Sequence, residues 1–491
     1  MRSIIESLLF NRRVRDMTLL CLAAGTVALY VIQGGGGFPL DDSWIHQTYA
    51  RNLAEYGEWS FIPGQPSGAS TSPLYTLILA IGYVFHIPYE FWTHFIGALA
   101  LAAAGMLGAR LADDMMPAVT FGGWFVGLAV VTAWHLVWAA ASGMETMLFC
   151  ALILGLMLLG LKHNQTRRDG VWFGVVGALT VATRPEGALL VGMIGSLNLK
   201  QRNWVIGSAF GFGVAILPYL LLNLSLNGEL VPNTSAAKQA QHAILLQEAF
   251  GVRVGWMIEP LLAGGQFTLI PGIVVFMWWA RHKPRFWLPL LWALGLILLY
   301  AWRLPAAYQH GRYVIPALPG LIVIGVLGVL LTLKWTRDYL IGRVFVRSWA
   351  LVTLVLFTYF GLILGVRIYQ TDLGIINDEM VAQAKWIRDH LPPDELLAVH
   401  DIGAVGYFAP RPLLDIAGLI TPEVIPLIGK PDALWAYIEA SGAQYLMAFP
   451  DQIPNQNPDD PRLCFLHNSP GDGSTRVGGP KMTIYRLGGC D

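Results

Sequence analysis

Long apolar segments alternate with short polar connections over the first three quarters of the chain. The segments lie at 17–33, 73–87, 91–109, 117–138, 145–161, 170–183, 187–199, 203–222, 264–280, 286–302, 313–333 and 347–366. An α-helix needs about 20 mostly apolar residues to cross the hydrocarbon core of a bilayer, and most of these segments approach that length. The pattern therefore predicts an α-helical polytopic membrane protein.

The distribution of Lys and Arg indicates which segments cross the membrane. If all of them crossed, Lys162, Arg167 and Arg168 would lie opposite the N-terminal arginines, although basic residues concentrate on the cytoplasmic side. The conflict disappears if 73–87 is a helix that lies along the interface. Eleven spans then remain, with the N-terminus in the cytoplasm and the C-terminus outside. Cytoplasmic segments then hold 17 Lys and Arg residues, against 6 in the outer loops before the tail.

The pattern changes after residue 366. Residues 378–390 have the spacing of an amphipathic helix, and 401–408 is predicted to form a loop and a strand. Short apolar runs typical of strands lie at 396–399, 445–449, 463–466 and 482–487. Mixed helices and strands predict a small extracytoplasmic α/β domain at 367–491, which follows a membrane domain at 1–366.

Two of the four cysteines, Cys464 and Cys490, lie in this tail. The predicted topology places them in an oxidising compartment, where structural disulfides persist. A hairpin formed by the last two apolar runs would bring them near one edge, so we predict that they pair. The alternative is two free thiols in a flexible end.

Composition narrows the class of protein. Hydrophobic residues make up 55% of the chain and charged residues only 13%, which excludes an ordinary soluble protein. The formal net charge is zero, so nothing points to nucleic acid as a partner. The sequence contains no P-loop, no dinucleotide-binding fingerprint and no Cys/His zinc pattern.

Two adjacent carboxylates, Asp41 and Asp42, follow a glycine run at the end of the first apolar segment. Ionisable groups at a membrane boundary are costly to keep and usually functional. Burial and a like-charged neighbour raise the pKa of a carboxyl group, which suits a general base. The alternative is that one or both only cap the helix that starts near Ser43. His46 lies on the same helical face as Asp42, either as a metal ligand or as a hydrogen-bonding histidine.

The segment Asp41-Asp-Ser-Trp-Ile-His46, the amphipathic stretch 47–57 and the turn-rich stretch 61–73 resemble the first extracytoplasmic loop of GT-C glycosyltransferases. These integral membrane enzymes move a sugar from a polyprenyl-phosphate carrier to an acceptor. The resemblance implies a first outer loop at 34–90 with interfacial helices, and an inverting transferase. It also implies an acidic base, often the first of the pair, which favours Asp41 without excluding Asp42. A divalent cation, if one binds, would use Asp42 and His46.

Three further outer segments carry candidate residues. The resemblance implies an active-site role for Glu145, which could instead oppose the dipole of the following helix. Arg184 could contact a phosphate or form a salt-bridged turn. Pro-Asn233-Thr-x-x-x-Lys238 resembles a stretch of the arabinofuranosyltransferase branch, which implies sugar binding by Asn233 and phosphate binding by Lys238. The alternative for Lys238 is a solvated loop lysine.

The last candidates lie near the tenth span and in the tail. His310 and Arg312 are predicted to bind the donor phosphate, with Arg312 making bidentate contacts, or to anchor the chain at the interface. His400 and Asp401 follow an apolar run and are candidates for acceptor binding or for capping turns.

Together these features predict transfer of a sugar from a polyprenyl-phosphate donor to a glycan, lipid or protein of the cell envelope. The reaction would take place on the outer side of a bacterial plasma membrane. One alternative is a proton-coupled transporter, which would place carboxylates near span centres. Here the acidic residues gather at the outer ends of the spans. A second alternative is a non-catalytic scaffold with the same core.

Overall fold

The computed structural model describes residues 11–162, 165–230 and 234–490. The helices of the first part are Arg12–Gly34, Asp41–Tyr56, Pro73–Val84, Tyr89–Met115, Gly122–Thr132, Trp134–Ala141, Thr146–Gly160, Arg167–Thr183, Gly187–Asn198 and Arg202–Asn227. Those that follow are Thr234–Gln241, Phe250–Leu262, Ile270–Trp279, Leu288–Arg303, Leu318–Trp335 and a continuous helix over Leu340–His390. Every apolar segment of the sequence is thus largely helical, which confirms the predicted mostly helical membrane fold.

The helices differ in their capacity to span a bilayer. Within the described residues, six are long and apolar enough to cross, or up to eight spans if each of two bent pairs counts as one. The bends are 54° between Gly122–Thr132 and Trp134–Ala141, and 95° between Phe250–Leu262 and Gly265–Trp279. Thr146–Gly160 and Gly187–Asn198 are shorter apolar helices. The count of eleven spans therefore stays a prediction, as does the interfacial position of 73–87.

Glycines allow a close contact between two helices of the membrane region. A Cβ on Gly170 or Gly174 would lie 2.2 Å from a backbone oxygen of the helix Arg202–Asn227. A Cβ on Gly207 or Gly211 would meet the helix Arg167–Thr183 at 2.2 and 2.3 Å. In a membrane, where lipid is as apolar as the side chains, such small residues allow backbones to approach and pack.

The tail contains a five-stranded sheet. Its strands are β3 (Leu397–Val399), β4 (Leu413–Asp415), β5 (Tyr445–Ala448), β6 (Leu463–Asn468) and β7 (Thr483–Leu487). Their order is β4-β3-β5-β7-β6, with β3 parallel to β4 and β5, and β7 antiparallel to β5 and β6. β1 (Ser60–Ile62) and β2 (Gln65–Pro66) form a separate small ribbon within the segment 34–90. The predicted small α/β unit and its terminal hairpin are confirmed.

Two details of the tail bear on the sequence predictions. Cys464 and Cys490 form a disulfide, as predicted. The strand predicted within 401–408 is wrong, because Gly403–Phe408 is a short helix. The division at residue 366 stays a prediction, since the helix Leu340–His390 runs through it.

The segment 34–90 that follows the first helix, which forms a loop, shares a hydrophobic core with the tail. Phe38, Trp44 and Phe61 of the loop pack in the same buried cluster as Val405 and Ile484 of the tail. Gly406 lies so close to Phe61 that a Cβ there would be 2.2 Å from the ring. The tail therefore fixes the position of the loop that carries the two adjacent carboxylates.

Candidate functional site

Asp42 lies between two cations. Its Oδ2 accepts hydrogen bonds from Arg312 Nη2 at 2.7 Å and from Lys238 Nζ at 3.1 Å. Burial by itself would raise the pKa of Asp42, but Lys238 and Arg312 lower it well below its usual range. The carboxylate is therefore ionised, and it neutralises part of a strongly positive region.

Arg312 is buried, with 6% of its surface exposed. Nη2 also donates to the hydroxyl of Tyr313 at 3.1 Å, whereas Nε and Nη1 have no hydrogen-bond partner among the described residues. Buried donors without a partner are costly, and those of a guanidinium suit a bidentate anion. The site thus offers unused hydrogen-bonding capacity to a negatively charged group.

Tyr313 lies at the centre of the positive region. Its ring centroid is 5.0 Å from the guanidinium carbon of Arg312, 5.5 Å from that of Arg184 and 6.0 Å from Lys238 Nζ. Tyr313 is not among the site residues predicted from the sequence, although it directly follows Arg312. Four distant segments, including the one that carries Asp42, therefore contribute to one site.

Glu145 joins the site through its neighbours. Its Oε1 lies 3.8 Å from Arg184 Nη1, and its Oε2 lies 3.4 Å from His46 Nε2. Arg184 also donates to the hydroxyl of Tyr300 at 2.9 Å. The Nδ1 of His46 lies 3.1 Å from the hydroxyl of Thr76. Glu145 and His46 are both at least 95% buried, so this part of the site is rigidly packed.

The donor set around Asp42 and His46 does not fit a divalent cation. The carboxylate of Asp42 faces two positive groups, and the ring of His46 contacts Thr76 and Glu145. The described residues contain no group of three or more His, Cys, Asp or Glu side chains arranged to hold a metal ion.

Asp41 faces the tail, away from the cations. Its two carboxylate oxygens accept hydrogen bonds from the backbone N–H groups of Gly403 and Ala404, at 2.7 and 2.8 Å. Burial and the nearby charge of Asp401 raise the pKa of Asp41 to about 7. That pKa would suit a base, but both oxygens are already occupied. A general base must first lie within reach of the proton that it accepts, and only then does its pKa matter. Asp42, which lies among the cations, meets this condition better than Asp41.

Replacing Asp41 by Asn is expected to weaken the docking of the tail. The NH₂ group of Asn would face the N–H of Gly403 or Ala404 and leave a buried donor unpaired, at a cost of about 1–3 kcal/mol. Thermal unfolding of the purified protein in detergent should therefore show a lower midpoint. The matched control is Glu55→Gln, which removes one exposed carboxylate from the same helix. Equal midpoints for the two variants would contradict the anchoring role.

The side chains of His310 and Arg312 have different partners, although the two residues are only two positions apart. His310 Nε2 lies 2.7 Å from Asp372 Oδ2, which also accepts from Trp138 Nε1 at 2.8 Å. Gln309 and His310 both have left-handed backbone angles, with φ of 54° and 58°, and this turn separates the two side chains. The structure thus does not bring His310 to Asp42, and its partner Asp372 was not predicted from the sequence.

The tail candidates pair with each other, and Asp401 lies near Asp41. His400 Nδ1 is 3.2 Å from Asp401 Oδ1, and Asp401 also accepts from Gln452 at 2.7 Å. A narrow cleft beside Asp42 is lined by His46 and Lys238 and, from the tail, by Leu419. Asn233, the remaining candidate, lies outside the described residues.

The chain was compared with protein families, curated proteins and solved structures. Residues 368–485 match a domain of unknown function (DUF8728). No curated protein matches the chain. The structure of ArnT from Cupriavidus metallidurans bound to undecaprenyl phosphate is similar, with a TM-score of 0.59 and 14% sequence identity over 95% of this chain and 97% of that one. Its apo structure matches to the same extent, with 13% identity.

A mycobacterial arabinofuranosyltransferase, AftD, is also similar, with a TM-score of 0.47 and 14% identity. The match covers 98% of this chain and 42% of AftD. The likeness to ArnT along nearly the whole chain shows that this protein shares the overall fold of ArnT, in agreement with the GT-C architecture predicted from residues 41–73.

Proposed function

We propose that this protein is a glycosyltransferase that moves a sugar from a polyprenyl-phosphate donor to a cell-envelope glycan, lipid or protein. The observation that carries the proposal is the contact of Asp42 with Arg312 and Lys238, beside unpartnered N–H groups of Arg312. A base and a phosphate-binding group are then present in one buried site. The GT-C fold shared with ArnT, which was solved with undecaprenyl phosphate, agrees with this donor class.

The donor phosphate would replace the Asp42 carboxylate as the partner of the cations. A phosphate and a carboxylate make similar charge-assisted hydrogen bonds, and a guanidinium binds either in a bidentate way. Arg312 and Lys238 would turn to the phosphate, with Arg184 nearby adding positive charge. Once the cations leave Asp42, burial is no longer offset, and its pKa rises toward that of a useful base.

The reaction then proceeds by a single displacement with inversion at the anomeric carbon. The acceptor hydroxyl oxygen forms a bond to that carbon, and the bond between the carbon and the phosphate oxygen breaks. Asp42 takes the hydroxyl proton, and the polyprenyl phosphate leaves with one more negative charge. Arg312 and Lys238 stabilise that charge because they are already in place when it develops.

The acceptor would approach from the side of the tail. His400 and Asp401 pair with each other on the tail, and Leu419 reaches the cleft next to Asp42. In this arrangement the membrane domain, 1–366, carries the chemistry, and 367–491 holds the acceptor. Asn233 is proposed to contact the sugar. The excess of basic residues on the predicted cytoplasmic segments supports a cytoplasmic N-terminus and a site that faces outward.

A transfer assay tests the proposal. The purified protein in lipid nanodiscs would be incubated with radiolabelled polyprenyl-phosphate sugars of several classes and with envelope extract as acceptor. We expect one class of donor to be consumed, with release of polyprenyl phosphate. Mass spectrometry of lipids that co-purify with the protein identifies the donor independently.

The alternative functions predict different results. A proton-coupled transporter reconstituted in vesicles would acidify or alkalise the lumen in response to a substrate and would consume no donor. A scaffold would bind donor lipid without turnover. Either pattern, with intact protein and the full set of donors, would overturn the proposal.

A further inference from the structure

A second cleft lies among helix ends on the other side of the membrane region. It has a volume of about 340 Å³. Three segments line it: the connection 115–119, the helix end at Trp279–Lys283 and the helix end at Leu331–Trp335. None of its lining residues belongs to the Asp42 site.

The length of one helix separates this cleft from the Asp42 site. Leu318–Trp335 begins six residues after Arg312 and ends at the cleft. Its 18 residues rise about 1.5 Å each, or about 27 Å in total, which approaches the roughly 30 Å of a hydrocarbon core. The cleft and the catalytic carboxylate therefore lie near opposite membrane surfaces.

The cleft is basic. Lys283 and Lys334 line it, and both are exposed. Neither forms an ion pair with a carboxylate in the described part of the chain. Asp113, near the end of the helix Tyr89–Met115, pairs with Arg15 at 2.7 Å, and the adjacent Asp114 is exposed. The two ammonium groups are thus available to an anion.

Aromatic side chains shape the walls and position one of the lysines. Lys283 Nζ lies 3.6 Å from the centroid of the Trp279 ring, a cation–π contact that holds the ammonium at the cleft. Trp335 meets Trp278 edge to face at 5.6 Å on the rim. Tryptophan favours the boundary between headgroups and acyl chains, where one end of the ring is wet and the other apolar.

An apolar face leads from the rim into the membrane. Ile270, Val274 and Trp278 are spaced four residues apart on one helix and are all exposed, by 45%, 64% and 57%. Side chains at this spacing lie one above the other on the same face. An acyl chain can follow this face while its headgroup remains at the lysines.

We propose that this cleft binds one anionic phospholipid of the leaflet opposite the Asp42 site. The lipid phosphate lies between Lys283 and Lys334, and an acyl chain lies against Ile270, Val274 and Trp278. A cavity that joins two unpaired cations to an exposed apolar stripe fits an amphiphile, whereas a soluble anion would use only the cations. Basic pockets between membrane helices recognise anionic headgroups in this way.

Native mass spectrometry tests the site directly. The full-length protein in a mild detergent would be titrated with phosphatidylglycerol and, separately, with phosphatidylcholine. The double variant Lys283→Gln, Lys334→Gln is expected to bind the first phosphatidylglycerol about 10-fold to 30-fold more weakly, because each lysine near a lipid headgroup contributes about fivefold. The matched control is Lys200→Gln, an exposed lysine outside the cleft that should leave binding unchanged.

A second variant tests the cavity without changing its charge. Ala118→Trp fills the cleft and keeps both lysines, so it should displace the same lipid. If the double lysine variant does not fold, phosphatidylglycerol binding by the Ala118 variant still tests the proposed site. Undiminished phosphatidylglycerol binding by both variants, or equal binding of phosphatidylcholine, would overturn the proposal. Displacement of the lipid by millimolar inorganic phosphate would also overturn it, in favour of a soluble anion.

Discussion

Replacing Asp42 by Asn is expected to reduce sugar transfer by about 10²-fold or more while the protein stays folded. Asn keeps the size of the side chain but cannot accept the proton of the acceptor hydroxyl. It also removes the negative charge that competes with the donor for Arg312 and Lys238. The dissociation constant of the donor should therefore stay the same or fall, although kcat decreases strongly.

This combination distinguishes a base from a group that only positions the cations. If Asp42 merely held Arg312 and Lys238 in place, donor affinity would fall together with kcat. Donor binding would be measured by titration with a polyprenyl-phosphate sugar, and kcat by release of the polyprenyl phosphate. Glu55→Gln is again the matched control, since it neutralises an exposed carboxylate on the same helix. Near-normal turnover of the Asp42 variant would exclude it as the base.

Replacing Arg312 by Lys is expected to weaken donor binding by about 10-fold to 100-fold. Lysine keeps the positive charge but loses the planar fork, and hydrogen bonds to charged groups contribute about 1.5–3 kcal/mol each. The effect should appear mainly in KM for the donor, because the site binds the phosphate before the chemical step. Titration of the purified variant with donor separates this loss from a change in kcat.

The same substitution at another arginine, at the end of an apolar helix, controls for a general effect of lysine. Arg303 is exposed at the end of the helix Leu288–Arg303 and lies outside the cluster around Asp42. Arg303→Lys should leave donor affinity unchanged. Intact donor binding in the Arg312 variant would move the phosphate site toward Lys238 or Arg184.

Much of the fold could be predicted because its signals are local. A run of apolar residues the length of a bilayer has few alternatives to a helix, since lipid offers no partner to backbone N–H and C=O groups. Short apolar runs also predicted four of the five tail strands, and two cysteines near one hairpin predicted their bridge. The strand predicted within 401–408 is a short helix instead, because contacts with Asp41 and Phe61 of the first loop fix this segment.

The site was predictable as a set of residues and not as an arrangement. Charged groups near the ends of apolar segments are few, so the sequence singled out Asp42, Arg184 and Arg312, and the family resemblance added Glu145 and Lys238. Which of them meet depends on how helices far apart in the chain pack. His310 shows the limit: its sequence position suggests a partner of Arg312, but a left-handed turn directs it to Asp372.

The two adjacent carboxylates separate what the sequence determined from what the tertiary structure decided. Sequence placed Asp41 and Asp42 at the end of an apolar segment and at the start of a predicted helix, where ionised groups need partners. Successive residues on a helix point about 100° apart, so the pair must face two different surroundings. Only the packing of the tail, with Gly403 362 residues beyond Asp41, decided that Asp41 anchors it and that Asp42 faces the cations.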